Sequence, residues 1–315
     1  MDDYSERAST PARVLPLRLA SSIWRQRART PRCPDAPSLE GKLAVVTGGN
    51  AGIGFEISRG LARRGAEVVI AARNRSTADD ARTRIAAETK ATLHVVPLDL
   101  SDLVSVASAL DSVQRVRDGR RVEILVANAG IWPQAHALSA QGHELAFATN
   151  TLGHHALVRG ALARELLSEE ARIVVLTGDI YIREQECTSD FHYDGPSGGA
   201  LAYSRSKLGN LWFAAELQRR HPRLEVCCVH PGVIASNLGG PSEASGFASF
   251  MRDKAMLDCE QGAQTPLWCA TQPIQRGAYY HNTLGRITHP PGDPAADASK
   301  AAALWTRLEA LAHSK

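Results

Sequence analysis

Apolar residues in this chain come in two rhythms. Short unbroken apolar runs alternate with longer stretches in which apolar positions recur every three to four residues. The runs Leu43–Val46, Ala66–Ala71, Leu93–Pro97, Ile124–Ala127, Arg172–Leu176 and Leu224–Val229 predict strands. A strand buried on both faces reads as a continuous apolar segment rather than an alternating one. Between them the spacing predicts helices: one through Ile57, Leu61 and Ala62, a polar one over Thr77–Thr89, and one capped by Asp99-Leu100-Ser101. Two more follow at Leu152–Leu167 and Leu201–Arg220, and a last one at Ala295–Ala312 after the Pro290-Pro291-Gly292 loop. This alternation predicts an α/β fold in which a parallel sheet is covered by helices on both faces. Residues 39–315 are expected to form it as one domain.

Length agrees with that picture, since 315 residues can bury a large core in a single α/β domain. Residues 1–38 stand apart. They are rich in Arg, Ser, Ala and Pro, and Pro11, Pro16, Pro31, Pro34 and Pro37 interrupt any long helix, so a poorly ordered extension is expected. Within it, Val14–Trp24 has the pattern of a short amphipathic helix suited to a membrane surface or a partner. The extension carries seven Arg and four acids, and the remainder holds 29 basic and 29 acidic residues. The net charge of +3 therefore lies in the extension, and no nucleic-acid surface is expected. Cys33, Cys187, Cys227, Cys228, Cys259 and Cys269 show no C-x-x-C spacing and no paired His ligands. Reduced thiols in a cytoplasmic protein, without a metal site, are expected. No apolar run is long enough to span a bilayer.

Candidate chemistry sharpens this. Tyr203 and Lys207 lie four residues apart near the start of the predicted Leu201–Arg220 helix, so a phenol and an ammonium share one face. A neighbouring cation favours the phenolate, which brings a tyrosine towards proton transfer near neutral pH. The first strand runs directly into Thr47-Gly48-Gly49-Asn50-Ala51-Gly52-Ile53-Gly54. Glycines between a strand and a helix let the backbone approach a pyrophosphate, and the helix N-terminus supplies amide donors and a favourable dipole. The spacing is G-x-x-x-G-x-G rather than the G-x-G-x-x-G of ordinary dinucleotide folds. The second strand ends in Ala71-Ala72-Arg73-Asn74-Arg75, where an acid would bind an adenosine ribose. A guanidinium there suits a 2′-phosphate, so NADP(H) is expected over NAD(H). Asp99 and Leu100, after the third strand, are placed to meet an adenine ring, with a helix-capping role for Asp99 as the alternative.

Taken together these motifs resemble the short-chain dehydrogenase/reductase family in its single-domain form. The matching pieces are Thr47-Gly48-x-x-x-Gly52-x-Gly54, Asn128-Ala129-Gly130, Asn150, Tyr203-x-x-x-Lys207 and Pro231-Gly232, in the family's order over about residues 40–290. Lys207-Leu208-Gly209-Asn210, His230-Pro231-Gly232-Val233 and Glu260-Gln261-Gly262-Ala263-Gln264-Thr265 look like its retinol-dehydrogenase-like branch, which acts mostly on retinoids, steroids and other lipophilic alcohols and carbonyls. The resemblance implies a Rossmann-type doubly wound sheet of about seven strands in the order 3-2-1-4-5-6-7. It makes Tyr203 the general acid/base, Lys207 the group that lowers its pKa and binds the nicotinamide ribose, and Asn150 the holder of a relay water. Thr47, Gly48, Asn50, Ala51, Gly52, Ile53 and Gly54 would cradle the phosphates. Asn128, Ala129 and Gly130 would lie beside the cofactor, and Pro231, Gly232, Val233 and Ser236 along the carboxamide.

One position departs from the family. A serine usually follows the fifth strand, commonly the second of a Ser-Ser pair, and here Thr177-Gly178 occupies that pair. Thr177 is the expected stand-in, with a strand-capping role as the alternative, and Asp179 or Tyr181 could also reach inward. Substrate loops are expected at 181–201, with Phe191, His192 and Tyr193, and at 239–256, with Phe247, Phe250 and Met251. Their aromatics, with Ile131-Trp132-Pro133, suggest a bulky, largely apolar alcohol or carbonyl substrate. His154 and His155 are adjacent on a helix and point apart, so they are not a metal pair. A nucleotide-binding sensor or scaffold with weak turnover is the competing expectation. By analogy with relatives, helices 152–167 and 201–220 could build a homodimer or homotetramer.

Overall fold

The structure is a computed structural model in which residues 23–235, 238 and 255–313 are described. Residues 1–22, Ser236 and the loop residues 239–254, with Phe247, Phe250 and Met251, lie outside the described residues.

Six parallel strands are β1 (Leu43–Thr47), β2 (Glu67–Ala72), β3 (Leu93–Pro97), β4 (Val122–Ala127), β5 (Leu167–Leu176) and β6 (Glu225–His230). They are joined at one edge by β7 (Tyr279–His281), parallel to β6, and β8 (Gly285–Ile287), antiparallel to β7. The order is β3-β2-β1-β4-β5-β6-β7-β8, so strand order reverses between β1 and β4, the place where α/β sheets bind ligands. The expected order holds and one strand is added. β8 was not anticipated, because a three-residue strand carries no periodicity to read.

Within each strand alternate residues feed opposite layers. Leu43, Val45, Val69, Ala71, Ile173 and Val175 face one core, and Ala44, Val46, Val68, Ile70, Val174 and Leu176 face the other. The first layer is closed by α4 (Leu103–Val116), α5 (Gly153–Ala163), α6 (Gly195–Arg220) and α8 (Ala298–His313). The second is closed by α2 (Gly52–Arg63), α3 (Arg75–Thr89) and α7 (Cys259–Thr271). Both faces are buried, which is why the strands read as unbroken apolar runs.

Several boundaries differ from the sequence pattern. β5 begins at Leu167 and carries the exposed Glu169 and Glu170 before its apolar end. The expected Leu152–Leu167 helix is a π-turn over Phe147–Leu152 leading into α5. α6 starts at Gly195, six residues before the expected Leu201, despite Gly198 and Gly199. Gly199 is explained by its neighbour: a Cβ there would run into the carbonyl of Pro133. Low helix propensity is overridden by close packing of α6 on the loop after β4. Asp102, not Asp99, caps α4, accepting from Val104 N at 3.0 Å.

Residues 23–38 of the extension contact the domain. A short helix over 23–29, here α1, delivers the Gln26 amide into the domain, where it is 2% exposed. Gln26 accepts from Val233 N at 3.0 Å and donates to the carbonyls of Val233 at 3.0 Å and Ala255 at 2.6 Å. Ile234 and Leu257 form a parallel bridge. The two ends of the 239–256 loop are thus clamped together beside β6, with Gln26 joining them from a third segment.

Candidate active site

The glycine turn is built at the carboxyl end of β1. Gly48 has φ of 64° and Gly52 of 56°, a left-handed region that favours glycine. Gly54 is required by proximity, since a Cβ there would collide with the carbonyl of Gly48. Asn128 Nδ2 donates to Thr47 O at 2.8 Å, tying the end of β4 to the same turn. Thr47 Oγ1 accepts from the amides of Asn128 and Ala129, both at 3.0 Å. Ala51, the N-cap of α2, gives no side-chain cap, and the first turn holds no acid. Space above Gly52 is open, with nothing within 4 Å of an added Cβ. Uncapped helix amides behind an open glycine turn fit a pyrophosphate, so the residues suit an NAD(P) cofactor.

Around that turn the predicted contacts separate. Arg73 is exposed and, among the described residues, makes no hydrogen bond or ion pair. Asn74 caps α3 through Thr77 N at 3.1 Å, and Asn50 Nδ2 donates to Thr77 Oγ1 at 2.8 Å. These two amides brace the turn against α3. Asp99 accepts from the backbone N–H and the hydroxyl of Ser101, at 2.9 and 2.6 Å.

At the ends of β4, β5 and β6 the proton-handling candidates converge. Tyr203 and Lys207 lie one turn apart on α6, and Lys207 Nζ sits 5.2 Å from the Tyr203 ring centroid. Lys207 is 3% exposed and donates to Leu176 O at 3.3 Å, where β5 ends. Burial pushes its ammonium down to about 8. Burial also pushes the Tyr203 phenol up. Trp132 stacks on the Tyr203 ring at 4.7 Å between centroids, 11° from parallel. Asn150 is fully buried in the π-turn, a feature frequent at functional sites. Its side chain pairs with the backbone of Ile131 in both directions, at 2.8 and 3.0 Å, and donates to Ser206 Oγ at 2.8 Å. A Cβ on Gly130 would lie 3.3 Å from Asn150 Oδ1, a tight contact, and 3.5 Å from Lys207 Nζ, an ordinary one.

His154, which the sequence shows only as half of an adjacent His pair, links the two halves. Its Nε2 meets Thr47 Oγ1 and its Nδ1 meets Asn150 O, both at 2.9 Å. Burial holds it neutral, pushed down to about 4. The backbone carbonyl of Asn150, the residue that the resemblance makes the holder of a relay water, therefore already has an imidazole partner.

Thr177, the expected stand-in for the serine, has its hydroxyl committed to a backbone carbonyl in this arrangement. It is 3% exposed and its Oγ1 donates to Lys207 O at 2.7 Å, which anchors α6 to the end of β5. Asp179 and Tyr181 are engaged elsewhere. Tyr181 OH donates to Asp293 Oδ2 at 3.1 Å, while Asp179 accepts from Tyr279 OH and from His281 Nε2 at 2.8 Å. Asp179, His230 and His281 bring three ligand-type atoms within 4.8 Å of one another. Their hydrogen bonding argues against a metal. His281 Nδ1 accepts from Thr283 N at 3.0 Å, so the ring proton is assigned to Nε2, facing Asp179. In the insert, Phe191 stacks on Tyr193 and lies under Arg205, and Tyr193 OH donates to Ala135 O at 3.2 Å. These aromatics pack the loop itself. Pro231 is buried and Gly232 has φ of 102°, with Val233 held by Gln26.

A model of the short chain dehydrogenase family matches residues 42–245. The chain belongs to the short-chain dehydrogenase/reductase family. It is 33% identical over 293 residues to a short-chain dehydrogenase/reductase of Armillaria gallica, covering 87% of this chain and 91% of that protein. It is 34% identical over 241 residues to retinol dehydrogenase 12 of Mus musculus, covering 76% of each. A crystal structure of an uncharacterized protein from Mycobacterium paratuberculosis aligns with TM-score 0.67 at 32% identity, covering 89% of this chain and 97% of that one. The enzyme is thus an NAD(P)-dependent oxidoreductase acting on CH–OH groups of small-molecule alcohols or their carbonyl partners, with retinol-dehydrogenase-like relatives. Among the described residues no helix is long and apolar enough to cross a membrane.

Proposed function

We propose that the enzyme uses NADP(H) to interconvert an alcohol and its carbonyl on a bulky, largely apolar small molecule, with Tyr203 as acid/base. The observation that carries this is the convergence of Tyr203, the buried Lys207 and Gly130 at the ends of β4 and β5, one strand from the glycine turn. The cofactor supplies or accepts the hydride. Tyr203 Oη then gives a proton to the substrate oxygen in reduction, or takes it in oxidation. Lys207, charged below about 8, biases the phenol towards release. Arg73 after β2, exposed and unpaired among the described residues, supports a 2′-phosphate and hence NADP(H). Retinol dehydrogenase 12 at 34% identity, and Trp132 against Tyr203, support an apolar substrate.

A sensor or scaffold with weak turnover is the second reading, favoured by one observation: the hydroxyl of Thr177 is bound to Lys207 O, and Gly178 has no side chain. A panel of aldehydes, ketones and steroids assayed with NADPH separates the two. Wild type is expected to turn over at least one member, and Tyr203→Phe to lose about 10²- to 10⁴-fold while still binding NADPH. Wild type and variant equally inert across the panel would overturn the enzymatic reading of Tyr203.

A further inference from the structure

Gly178 has no steric reason to be glycine. Its φ is −163°, extended backbone that any residue adopts, and a Cβ built on it meets nothing closer than 3.9 Å. The nearest atoms to that Cβ are His230 Nδ1 at 3.9 Å, Ile180 Cγ2 at 4.0 Å and Lys207 Cγ at 4.0 Å. A Cβ fits here without strain, so the absence of a serine is a chemical difference at this end of β5.

His230 gives that difference a direction. Its side chain is 9% exposed, and its Nδ1 is buried with no hydrogen-bond partner. An unpaired buried polar atom costs free energy and calls for an explanation. The other nitrogen, Nε2, lies 3.6 Å from Asp179 Oδ2, and Asp179 is held in place by Tyr279 and His281. A carboxylate at that distance favours the ring proton on Nε2. Nδ1 is then a bare acceptor aimed at the place a serine hydroxyl would occupy.

An acceptor does not welcome a carbonyl oxygen, which has no proton to give. It welcomes a hydroxyl. In the family the serine at this place hydrogen-bonds the reacting oxygen, so its Oγ would sit about 2.7 Å from that oxygen, an O–H···O distance. Two oxygens at about that separation within one molecule are those of neighbouring carbons. Resting on the oxidoreductase reading above, we infer that His230 Nδ1 accepts a hydrogen bond from a second hydroxyl on the substrate, adjacent to the reacting carbon. The preferred substrates are then α-hydroxycarbonyls and vicinal diols. His230 is a specificity-determining residue, while Tyr203 handles the proton on the reacting oxygen.

The test compares an aryl α-hydroxyketone with its deoxy counterpart, each with NADPH. A buried group built to bond a hydroxyl discriminates strongly against the analogue lacking it. Wild type is expected to favour the hydroxyketone in kcat/KM by at least about a hundredfold. His230→Phe should bring the preference to within about threefold by slowing the hydroxyketone alone. His230→Asn, which keeps an amide where Nδ1 stood, should retain much of the preference and guards against misfolding of the Phe variant. Gly178→Ser, which the open space accommodates, should speed the deoxy ketone and shrink the preference, an effect a structural role for His230 would not produce. Equal rates on both ketones in wild type, or a preference that survives His230→Phe, would overturn the inference. Inertness of wild type and all variants towards every carbonyl would instead strike the oxidoreductase reading on which it stands.

Discussion

Gly54 and Gly178 are glycines of opposite kinds, and the contrast separates the two halves of the site. At Gly54 a side chain would collide with the Gly48 carbonyl, so the backbone geometry of the cofactor turn dictates the residue. At Gly178 the backbone is extended and the space is open, so geometry dictates nothing. On the proposed reading, the cofactor half is constrained by how closely backbone must approach a ligand. The substrate half is constrained by which polar atoms face the reacting group, and there His230 and Asp179 take positions that the Thr177-Gly178 pair leaves without a free hydroxyl.

The sharpest break between the halves is an alanine at each glycine. Gly54→Ala forces apart β1, the turn and α2. It is expected to destabilise the fold by about 1–3 kcal/mol, as overpacking does, and to abolish measurable NADPH binding. Gly178→Ala should leave stability within about 0.5 kcal/mol of wild type, as unstrained substitutions do. Urea unfolding and cofactor titration on both variants check this. Comparable losses at the two positions would erase the distinction.

Next in size is the charge at the end of β2. Arg73→Ala should weaken NADPH binding about ten- to a hundredfold, the scale of a lost charge-assisted hydrogen bond, and leave NADH within about twofold. Fluorescence titration with both cofactors reads it directly. Equal weakening for the two would mean that Arg73 does not discriminate between them.

Much of the cofactor half was legible because its signals are local. A strand, a glycine turn and a helix follow one another within residues 43–63, and Asn128-Ala129-Gly130 immediately follows β4. The sheet order came with the family resemblance, and only β8 was missed. The substrate half depends on side chains brought together from distant segments. His230 stood in the sequence as part of a His-Pro-Gly motif, and nothing local says that its Nδ1 looks towards Gly178, 52 residues away. His154 likewise acquires its role only when β1 and the π-turn meet. Gln26 lies in an Arg- and Pro-rich segment whose composition says tail, while its amide closes the loop ends beside Val233. The early start of α6 was hidden because Gly198 and Gly199 read as breakers, although tight packing is what calls for them.

Lys207 supplies a pH-dependent way to connect the halves. Burial pushes it down to about 8, so it is charged below that pH and neutral above it. On the proposed mechanism carbonyl reduction needs both the ammonium and the protonated phenol, and burial keeps the phenol protonated well past that point. The kcat/KM for reduction should therefore be flat near neutrality and fall about tenfold per pH unit above about 8. A profile that stays flat to about pH 10 would show that the lysine's charge is not used.

The smallest effect concerns Thr177, where cofactor-side anchoring and substrate chemistry make different demands on one hydroxyl. If Thr177 replaced the family's serine, Thr177→Val would remove a transition-state donor and cost about 10²- to 10³-fold in kcat. Its Oγ1 instead donates to Lys207 O, a bond between the end of β5 and the helix that carries Tyr203 and Lys207. Valine matches the shape of threonine and leaves that carbonyl one partner short, so a stability loss of about 1 kcal/mol is expected. Activity should fall only as far as a small shift of α6 disturbs Tyr203, by less than about tenfold in kcat. Measuring urea stability and kcat on the same variant separates the two roles. A hundredfold loss in kcat with unchanged stability would return Thr177 to the substrate and remove the need for His230 there.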